Sequence, residues 1–328
     1  MAVPALVACT VLLLSTGGVA VPSLPILTQP VRSDWLNVKL GCVNGTKAIG
    51  DGTADDTAAL QACFDALSAA DHNTPTASTV YMPPGRYVIK KTLVLHDWLG
   101  MTLIGTGETT VLVWKGAAGH NSTMIWSDGI SRSRLMGFVL DGTAGCDIGV
   151  DHASNHSLFE TRLRHQNQKF LGFGQAGIRV GGHKSMLESA EIIYENCIFD
   201  SIGHACKGLP FPPMSQSGCG AVTLLNFNDY DNVFDGCEFS NNAYSLYNDK
   251  MANVYVRNCR FTNSSSADIY LAASAGNSIR RSVSQGSTQF IASPARDPAT
   301  PNPTIIQDNR IDSWTSPHGA ISHNMRGP

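Results

Sequence analysis

The chain is poor in charge, and it lacks any concentrated run of charge. Only 15% of its 328 residues are charged, against about 25% in an average soluble protein. The net charge is −3 at neutral pH and no basic stretch occurs, so nucleic acid is excluded as the expected partner. Long apolar runs are scarce too, and the run from Leu6 to Leu14 is too short to cross a bilayer. We therefore expect no membrane span.

That apolar run ends in Gly18–Ala20, a small-x-small pattern typical of a signal-peptidase site. Residues 1–20 are predicted to be a signal peptide, although no Lys or Arg precedes the run, and residues 21–32 an exposed, proline-rich leader. Export is supported by four Asn-X-Ser/Thr sequons. They begin at Asn44, Asn121, Asn155 and Asn263. The sequence thus predicts a secreted, extracellular glycoprotein.

Of the nine cysteines, Cys9 lies in the predicted signal peptide. The other eight would then reach an oxidising compartment, where disulfides persist. We expect one disulfide between Cys206 and Cys219, which flank one loop, and a second between Cys42 and Cys63. Sequence alone does not give the connectivity.

Between residues 135 and 311, no segment has apolar residues at helical spacing over a length sufficient for a helix that connects parallel strands. A six-residue pattern recurs there instead: apolar, two variable positions, small or thiol, variable, apolar. Its copies begin at Leu135, Leu158, Tyr194, Phe234, Val256, Ile279 and Ile306. The steps between them are 23, 36, 40, 22, 23 and 27 residues. A period between about 20 and 50 residues indicates a stacked repeat architecture.

A second short segment accompanies each copy, with alternating β-branched or aromatic residues bounded by turn formers, which is typical of strands. These segments are Ile148–His152, Ala176–Val180, Ala221–Leu225, Tyr244–Asn248, Asp268–Ala272 and Thr288–Ala292. Two or three strands per turn predict a β-solenoid, right-handed as parallel crossovers are. Cys197, Cys237 and Cys259 hold equal positions in it, and we interpret them as small apolar fillers rather than disulfides.

Residues 33–328 are predicted to form one such domain, with a single helix at about 55–69. Leu60, Phe64 and Leu67 share one face of that helix, and Asp55 or Asp56 can accept hydrogen bonds from its first N–H groups. The last recognisable strand, at residues 318–322, has no cap after it. Truncation, end-to-end association and a missing catalytic segment remain open explanations.

Three motifs near the N-terminus resemble a known family. They are Gly50-Asp-Gly52 leading into Asp55–Gln61, then Val80–Tyr87, then Leu103–Gly107. Together they resemble the N-terminal signature of the pectate-lyase superfamily, and more narrowly the rhamnogalacturonase/epimerase-like domain. The resemblance implies an all-β, right-handed parallel β-helix with a short capping α-helix. It also implies a carbohydrate-active enzyme acting on an extracellular polysaccharide. Asp51, Asp55 and Asp56 are interpreted as turn and cap residues in preference to a metal cluster or catalytic pair.

Three long segments of the ladder are read as insertions that wall a groove, because binding and catalysis concentrate on loops. They are Arg164–Gln175, His183–Ala190 and Ser201–Gly220. The polar residues expected to point outward near them are Asp151, His152, His183, Lys184, His204, Lys207, Asp229, Asp231, Asp249 and Lys250.

Two reactions are considered for this groove. Inverting hydrolysis needs two carboxyl groups about 6.5–9.5 Å apart, which Asp249 and Asp229 on consecutive turns could supply, with Asp151 a further candidate. Elimination needs a base, for which Lys250 or His183 is the candidate. It also needs a cation or metal to neutralise the uronate carboxylate, so calcium is expected only if the protein is a lyase. No other metal or cofactor is implied. Sugar rings would stack on the three aromatic candidates, Phe227, Tyr230 and Tyr247.

Catalytic motifs known from related enzymes are missing. The Asn-Thr-Asp, Asp-Asp and Gly-His-Gly series of polygalacturonases is absent, with only fragments at 182–184 and 203–205. An arginine with an acidic calcium cluster, as in pectate lyases, is absent too. Hydrolase is placed slightly ahead of lyase, and a non-catalytic glycan-binding or surface-structural β-helix is the rival class. The sequence identifies neither the polysaccharide nor the oligomeric state.

Overall fold

The fold is a right-handed parallel β-helix, seen here in a computed structural model. The structure describes residues 23–25, 32–42, 45–68, 78–119, 121–153, 159–181, 189–206, 219–225, 231–249, 253–271, 276–293 and 304–312. Three long sheets, all paired in parallel, run along it, and each complete turn adds one strand to sheet C, then sheet A, then sheet B. The predicted fold class is confirmed, with three strands per turn.

Short strands with regular spacing build all three sheets. Sheet A consists of β1 (Leu36–Asn37), β3 (Thr79–Tyr81), β6 (Thr102–Ile104), β9 (Arg134–Met136), β13 (Arg164–Gln166), β17 (Ile193–Glu195), β20 (Asn232–Asp235), β23 (Val254–Arg257), β26 (Ser278–Arg280) and β29 (Ile305–Gln307). Sheet B consists of β2 (Asp51–Asp55), β4 (Gly85–Ile89), β7 (Thr110–Trp114), β10 (Val139–Asp141), β14 (Lys169–Leu171), β18 (Ile198–Asp200), β21 (Glu238–Ser240), β24 (Arg260–Thr262), β27 (Val283–Gln285) and β30 (Arg310–Ile311). Sheet C consists of β5 (Leu93–His96), β8 (Thr123–Asp128), β11 (Ile148–His152), β15 (Ala176–Val180), β19 (Gly220–Leu224), β22 (Tyr244–Asn248), β25 (Ala267–Leu271) and β28 (Ile291–Ala292). A two-stranded sheet pairs β12 (Glu160–Thr161) with β16 (Ser189–Ala190), and a 3-10 turn spans His204–Cys206.

The core is a set of side-chain columns, because equal positions on successive turns stack. In sheet B the rings of Phe170, Phe199, Phe239 and Phe261 follow one another at 4.8–5.0 Å and within 10° of parallel. In sheet A, Tyr194 and Phe234 stack at 4.5 Å. Such pairs add about 0.5–1.5 kcal/mol each beyond the burial of their area. The six-residue repeat in the sequence arises because its apolar positions supply these stacked side chains.

One copy of the repeat was placed wrongly. The sequence put it at Leu158, but His165 pairs with Leu135 on one side and with Tyr194 on the other. The error arose because a histidine, fully buried, fills a position that is apolar elsewhere in the column. The predicted insertion at Arg164–Gln175 is wrong for the same reason, since β13 and β14 lie within it.

The corner between sheets A and B requires a left-handed backbone. In each of seven turns, one residue between the sheet A strand and the sheet B strand has a positive φ. These residues are Gly137, Asn167, Asn196, Gly236, Asn258, Arg281 and Asp308. Glycine and asparagine tolerate this region better than other residues. Five of these seven positions are accordingly glycine or asparagine.

The single helix of the described residues, α1 (Thr57–Ser68), covers the N-terminal turns. Leu60, Phe64 and Leu67 are buried on its inner face, as predicted. Asp55 accepts the N–H of Thr57 at 3.1 Å, so it caps the helix. Asp56 has another role: its carboxylate accepts the N–H groups of Ile49 and Val88.

Cysteines serve the fold in two ways. The predicted Cys42–Cys63 disulfide is confirmed and ties α1 to the segment before it. Cys219 is also disulfide-bonded, while the side chain of Cys206 lies outside the described part of the chain. Cys197, Cys237 and Cys259 are free and buried, which confirms the filler interpretation. Burial raises the pKa of the Cys237 and Cys259 thiols well above the usual range, so both are held as unreactive thiols.

Several expectations fall on residues that are not described: the signal peptide at 1–20, the sequons at Asn44 and Asn155, and the last strand at 318–322. Within the described residues, no helix combines the length and the apolar character needed to cross a membrane.

Candidate functional site

The outer face of sheet C gathers residues from eight successive strands into one column. Pairing register aligns Val94, Trp126, Asp151, Arg179, Thr223, Tyr247, Tyr270 and Ala292. The residues next to them along the strands, such as Ile125, Val150 and Ile178, belong to the core. Because side chains alternate along a strand, the column points away from the core. Adjacent members are about 4.8 Å apart.

One end of this face carries a tyrosine cluster, formed by Tyr244, Tyr247 and Tyr270. The rings of Tyr247 and Tyr270 stack at 4.7 Å and 10°, and Tyr244 meets both edge-on at 5.5 and 5.7 Å. Burial raises the pKa of the Tyr247 hydroxyl above its usual range, and the nearby charge of Asp249 raises it further. Asp249, half-buried, therefore lies beside this cluster, in which Tyr247 and Tyr270 are themselves only 4% and 7% exposed.

The other end carries an ionic cluster, formed by His96, Trp126, Asp128, Asp151 and Arg179. Within it, Arg179 donates Nε to Asp151 Oδ1 at 2.9 Å and Nη2 to Oδ2 at 2.5 Å. Only 5% of the Asp151 side chain and 3% of the Arg179 side chain are exposed. A bidentate buried pair of this kind fixes the carboxylate in place. The Asp151 carboxylate is thus occupied by its ion pair with Arg179.

His96 and Asp128 form the second pair of the ionic cluster. They are direct strand partners, and Nδ1 of His96 lies 3.2 Å from Oδ2 of Asp128. Asp128 is fully buried, whereas 40% of the His96 side chain is exposed. The imidazole meets the Trp126 ring edge-on at 6.2 Å, and the Trp126 indole N–H donates to the Ala153 carbonyl at 3.0 Å.

A buried polar network lies behind the ionic cluster. Glu160 Oε1 accepts hydrogen bonds from Ser127 Oγ at 2.5 Å and from the backbone N–H groups of Gly129 and Ile130 at 3.2 and 3.4 Å. Its Oε2 accepts from Ser189 Oγ at 3.0 Å. Since Ser127 and Gly129 flank Asp128, Glu160 fixes the backbone that carries Asp128.

The same network continues through two fully buried histidines. His152 lies 3.2 Å from Glu160 Oε2 through Nδ1 and 2.9 Å from His165 through Nε2, and His165 Nδ1 lies 2.7 Å from Gln168 Oε1. A carbonyl oxygen only accepts, so His165 Nδ1 carries a hydrogen and its Nε2 accepts one from His152. Burial, followed by the neighbouring His152, lowers the pKa of His165 to about 3. His165 is therefore neutral.

The structure brings three of the predicted site residues, Asp151, Tyr247 and Asp249, onto the same sheet face. Asp151 and Tyr247 are three strands apart, or about 14 Å. That distance exceeds the separation of an acid–base pair for glycoside hydrolysis, so Asp151 and Asp249 do not form one. The remaining candidates, Asp229, His183, Lys250, Phe227 and Tyr230, lie outside the described residues.

The sequence interpretation of His152 was wrong, because this residue faces the interior and not the groove. His96 and Asp128 were missed. The signal was present, since each lies two residues beyond a member of the outward column and a strand repeats its orientation every two residues. In the described part of the chain, no three His, Cys, Asp or Glu side chains are grouped to hold a metal ion.

Comparison with known proteins identifies the family of this β-helix. The family described as "Rhamnogalacturonase A/epimerase, pectate lyase-like" matches residues 43–285. The chain belongs to this family, a group of carbohydrate-active β-helix proteins, as its N-terminal motifs indicated.

Individual relatives are distant. The chain is 36% identical to the mannuronan C5-epimerase AlgE6 of Azotobacter vinelandii over 78 residues, which are 22% of this chain and only 8% of that protein. The tailspike protein of E. coli bacteriophage HK620, solved with a pentasaccharide, superposes with a TM-score of 0.59 at 11% identity over 88% of this chain and 53% of its own. PfbA, a surface adhesin of Streptococcus pneumoniae, gives 0.50 at 13% identity over 87% and 80%. The two structures share the fold.

Proposed function

We propose that the protein binds an extracellular polysaccharide along the outer face of sheet C and cleaves it there. The observation that carries this proposal is the continuous outward column that joins the tyrosine cluster to the ionic cluster. Tyr244, Trp126 and His96 are partly exposed and are the members of the two clusters available to sugar rings. Tyr247, Tyr270, Asp151 and Arg179 are at most 7% exposed and hold them in place. The named relatives are compatible with a glycan ligand, since one is a mannuronan epimerase and one was solved with an oligosaccharide.

For the reaction, hydrolysis by Asp249 with Asp229 is the version that the sequence put first. Asp249 lies at the tyrosine cluster, where a stacked sugar would bring its glycosidic bond within reach. Elimination through His183 or Lys250 is the alternative. Secretion through a cleaved signal peptide belongs to the same proposal, because the substrate is extracellular.

A binding module without chemistry is the second candidate. It is favoured by the Asp151–Arg179 pair, which is buried and mutually satisfied and so adds specificity without reactivity. A tyrosine platform binds sugars equally well in a protein that cleaves nothing. PfbA, which shares the fold, is named a surface adhesin.

The deciding experiment uses the purified protein on pectin, alginate and a fungal β-glucan, with and without calcium. New reducing ends are followed together with the absorbance near 235 nm, where the unsaturated uronate produced by elimination absorbs. Binding is measured by calorimetry. Reducing ends alone would indicate hydrolysis, and Asp249→Asn and Asp229→Asn should then abolish it, while Asp65→Asn on α1 serves as control. Both signals together would indicate elimination. Binding without either signal would replace the enzyme by the binding module.

A further inference from the structure

We propose that a cleft on the outer face of sheet A is a second glycan-binding site, and that its ligand is an acidic polysaccharide rich in uronic acid. Sheet A is distinct from sheet C, so this site goes beyond the proposed function and is independent of it. The cleft has a volume of about 350 Å³, within the range of ~300–1,000 Å³ typical of small-ligand sites. Its lining consists of Arg162, Arg164, Glu191, Ile193, Asp231 and Val233.

The floor of the cleft follows from the pairing register of sheet A. Five neighbouring strands align Arg134, Arg164, Ile193, Val233 and Tyr255. The next residue along each of these strands is buried, so this column points outward. The two aliphatic side chains and the tyrosine are half-buried. They offer an apolar surface to the C–H face of a sugar ring, as ligand sites with a few polar groups do.

Four arginines from two turns meet at one end of the cleft. Arg134 and Arg164 are direct strand partners, and Arg132 and Arg162 lie two residues before them. Like charges directly opposite each other on neighbouring strands are destabilising. Arg164 is partly compensated, because its Nη1 lies 3.4 Å from Oε2 of Glu195. The sequence has no basic run here, since only the pairing of two turns brings these arginines together.

Two of the four arginines are available to a ligand. Arg162 Nε lies 3.2 Å from Glu191 Oε2. Among the described residues, no carboxylate forms an ion pair with Arg132 or Arg134, and both side chains are exposed. A guanidinium group can donate two parallel hydrogen bonds to one carboxylate. These two arginines therefore suit an anionic ligand that carries carboxylates.

The opposite end of the cleft is acidic. Glu191 and Asp231 are exposed, and each holds on its own turn the position that Arg162 holds on the turn before. Ionised carboxylates only accept hydrogen bonds, which suits the hydroxyl groups of a sugar. A uronic acid carries a carboxylate and hydroxyl groups and so matches both ends. A nucleic acid, whose backbone is anionic throughout, would be repelled by the acidic end.

The charged corner of the cleft is retained against the preference of the backbone. The φ angles of Arg132, Arg162 and Glu191 are 51°, 56° and 56°, in a region that arginine and glutamate rarely adopt. The corner between sheets A and B mostly uses glycine or asparagine for the same conformation. Residues held in a sparsely populated conformation cluster at ligand sites, which agrees with a binding role for this corner.

The test measures the binding of tetragalacturonate and of its fully methyl-esterified form by calorimetry at low salt. Esterification removes the charge but keeps the sugar rings, so the acid should bind at least tenfold more tightly. The double variant Arg132→Gln/Arg134→Gln should lower the affinity for the acid about tenfold, the effect of losing charge-assisted hydrogen bonds. The matched control is Arg260→Gln/Arg310→Gln, which removes two exposed arginines from sheet B and should change the affinity less than twofold.

All four substituted side chains are exposed, so both double variants should fold. Equal affinity for the acid and its ester would refute the site, and so would equal losses in the two double variants. Binding that Trp126→Ala abolishes and Arg132→Gln/Arg134→Gln leaves intact would place the ligand on sheet C, which refutes the second site while the proposed function stands. A single-stranded DNA of the same charge that binds as tightly as tetragalacturonate would refute the uronic-acid specificity. Absence of any binding to tetragalacturonate would refute the site outright.

Discussion

His165 lies in an inner column whose neighbouring members are Leu135 and Tyr194. Its pKa is lowered from 6.5 to about 3 by burial and by His152, so the unfolded chain binds this proton more readily than the folded one. Stability must therefore fall as the pH drops from about 6.5 towards 3. This group alone contributes a slope of up to about 1.4 kcal/mol per pH unit.

We predict that His165→Phe removes that slope, because phenylalanine continues the Tyr194–Phe234 stack and does not titrate. At pH 8 the variant should be less stable by ~1–3 kcal/mol, since the His152 N–H loses its acceptor. Urea unfolding at pH 5 and pH 8 measures both effects, with His204→Gln on the exposed 3-10 turn as control. Equal pH slopes in wild type and variant would show that His165 is not the titrating group.

The contribution of Asp268 to stability depends on pH in the opposite direction. Burial raises its pKa from 3.8 to about 6, partly offset by hydrogen bonds such as that from Ser284 Oγ at 2.5 Å. The folded protein therefore holds this proton more tightly, and stability falls as the pH rises from about 3.8 through 6.

Asp268→Asn should accordingly raise the free energy of unfolding at pH 8 by ~1–3 kcal/mol. Little gain is expected at pH 4, where the wild-type carboxyl is already neutral. Denaturant unfolding at the two pH values is the measurement. A gain of the same size at both would mean that the charge of Asp268 is not what destabilises the protein.

At the scale of residues, the sequence predicted the outward column only in part. Asp151 and Tyr247 were found because they lie in strands whose alternation is clear. The partners of Asp151 were not, since Arg179 and Trp126 come from other turns and only the pairing register shows that they meet. His165 was not predicted because the repeat pattern has an apolar residue at this position, and a buried histidine is tolerated there through its contacts with His152 and Gln168.

At the scale of elements, α1 is joined to the chain before it by the Cys42–Cys63 disulfide, which spans 21 residues. A cross-link of that length stabilises a protein by about 3 kcal/mol, mainly by restricting the unfolded chain. The double variant Cys42→Ala/Cys63→Ala should lose about that amount. Denaturant unfolding of this variant and of the reduced wild type should agree. A loss below about 1 kcal/mol would show that the cap is already held by Leu60, Phe64 and Leu67.

The elements themselves were largely predictable. Ile148–His152, Ala176–Val180 and Tyr244–Asn248 match strands of sheet C residue for residue, because turn formers bound each of them. The two-stranded sheet of β12 and β16 was not predicted. Two residues are too few to show alternation, and Glu160 at its start is charged, so burial could not be inferred.

At the scale of the whole molecule, Trp126 of the ionic cluster and Tyr270 of the tyrosine cluster are five strand spacings apart along one column of sheet C, or about 24 Å. If a polysaccharide lies along it, affinity should rise with oligosaccharide length until the chain reaches both clusters. Trp126→Ala and Tyr270→Ala should each weaken binding of long oligosaccharides by about 1–2 kcal/mol, roughly 5- to 30-fold. Short oligosaccharides should respond to one variant only. Calorimetry on an alginate oligosaccharide series tests this, and equal effects of both variants at every length would contradict it.

Glu160 also constrains how this chain can change in length during evolution. Solenoids gain and lose whole turns readily, because each turn contacts only its neighbours. Glu160, however, accepts hydrogen bonds from Ser127 and Gly129 on the turn before and from Ser189 on the turn after. Deleting or duplicating either adjoining turn would leave a buried carboxylate without its donors. Natural length variants should therefore add or lose turns within residues 231–285, where stacked phenylalanines repeat, and keep residues 123–200 as an indivisible unit.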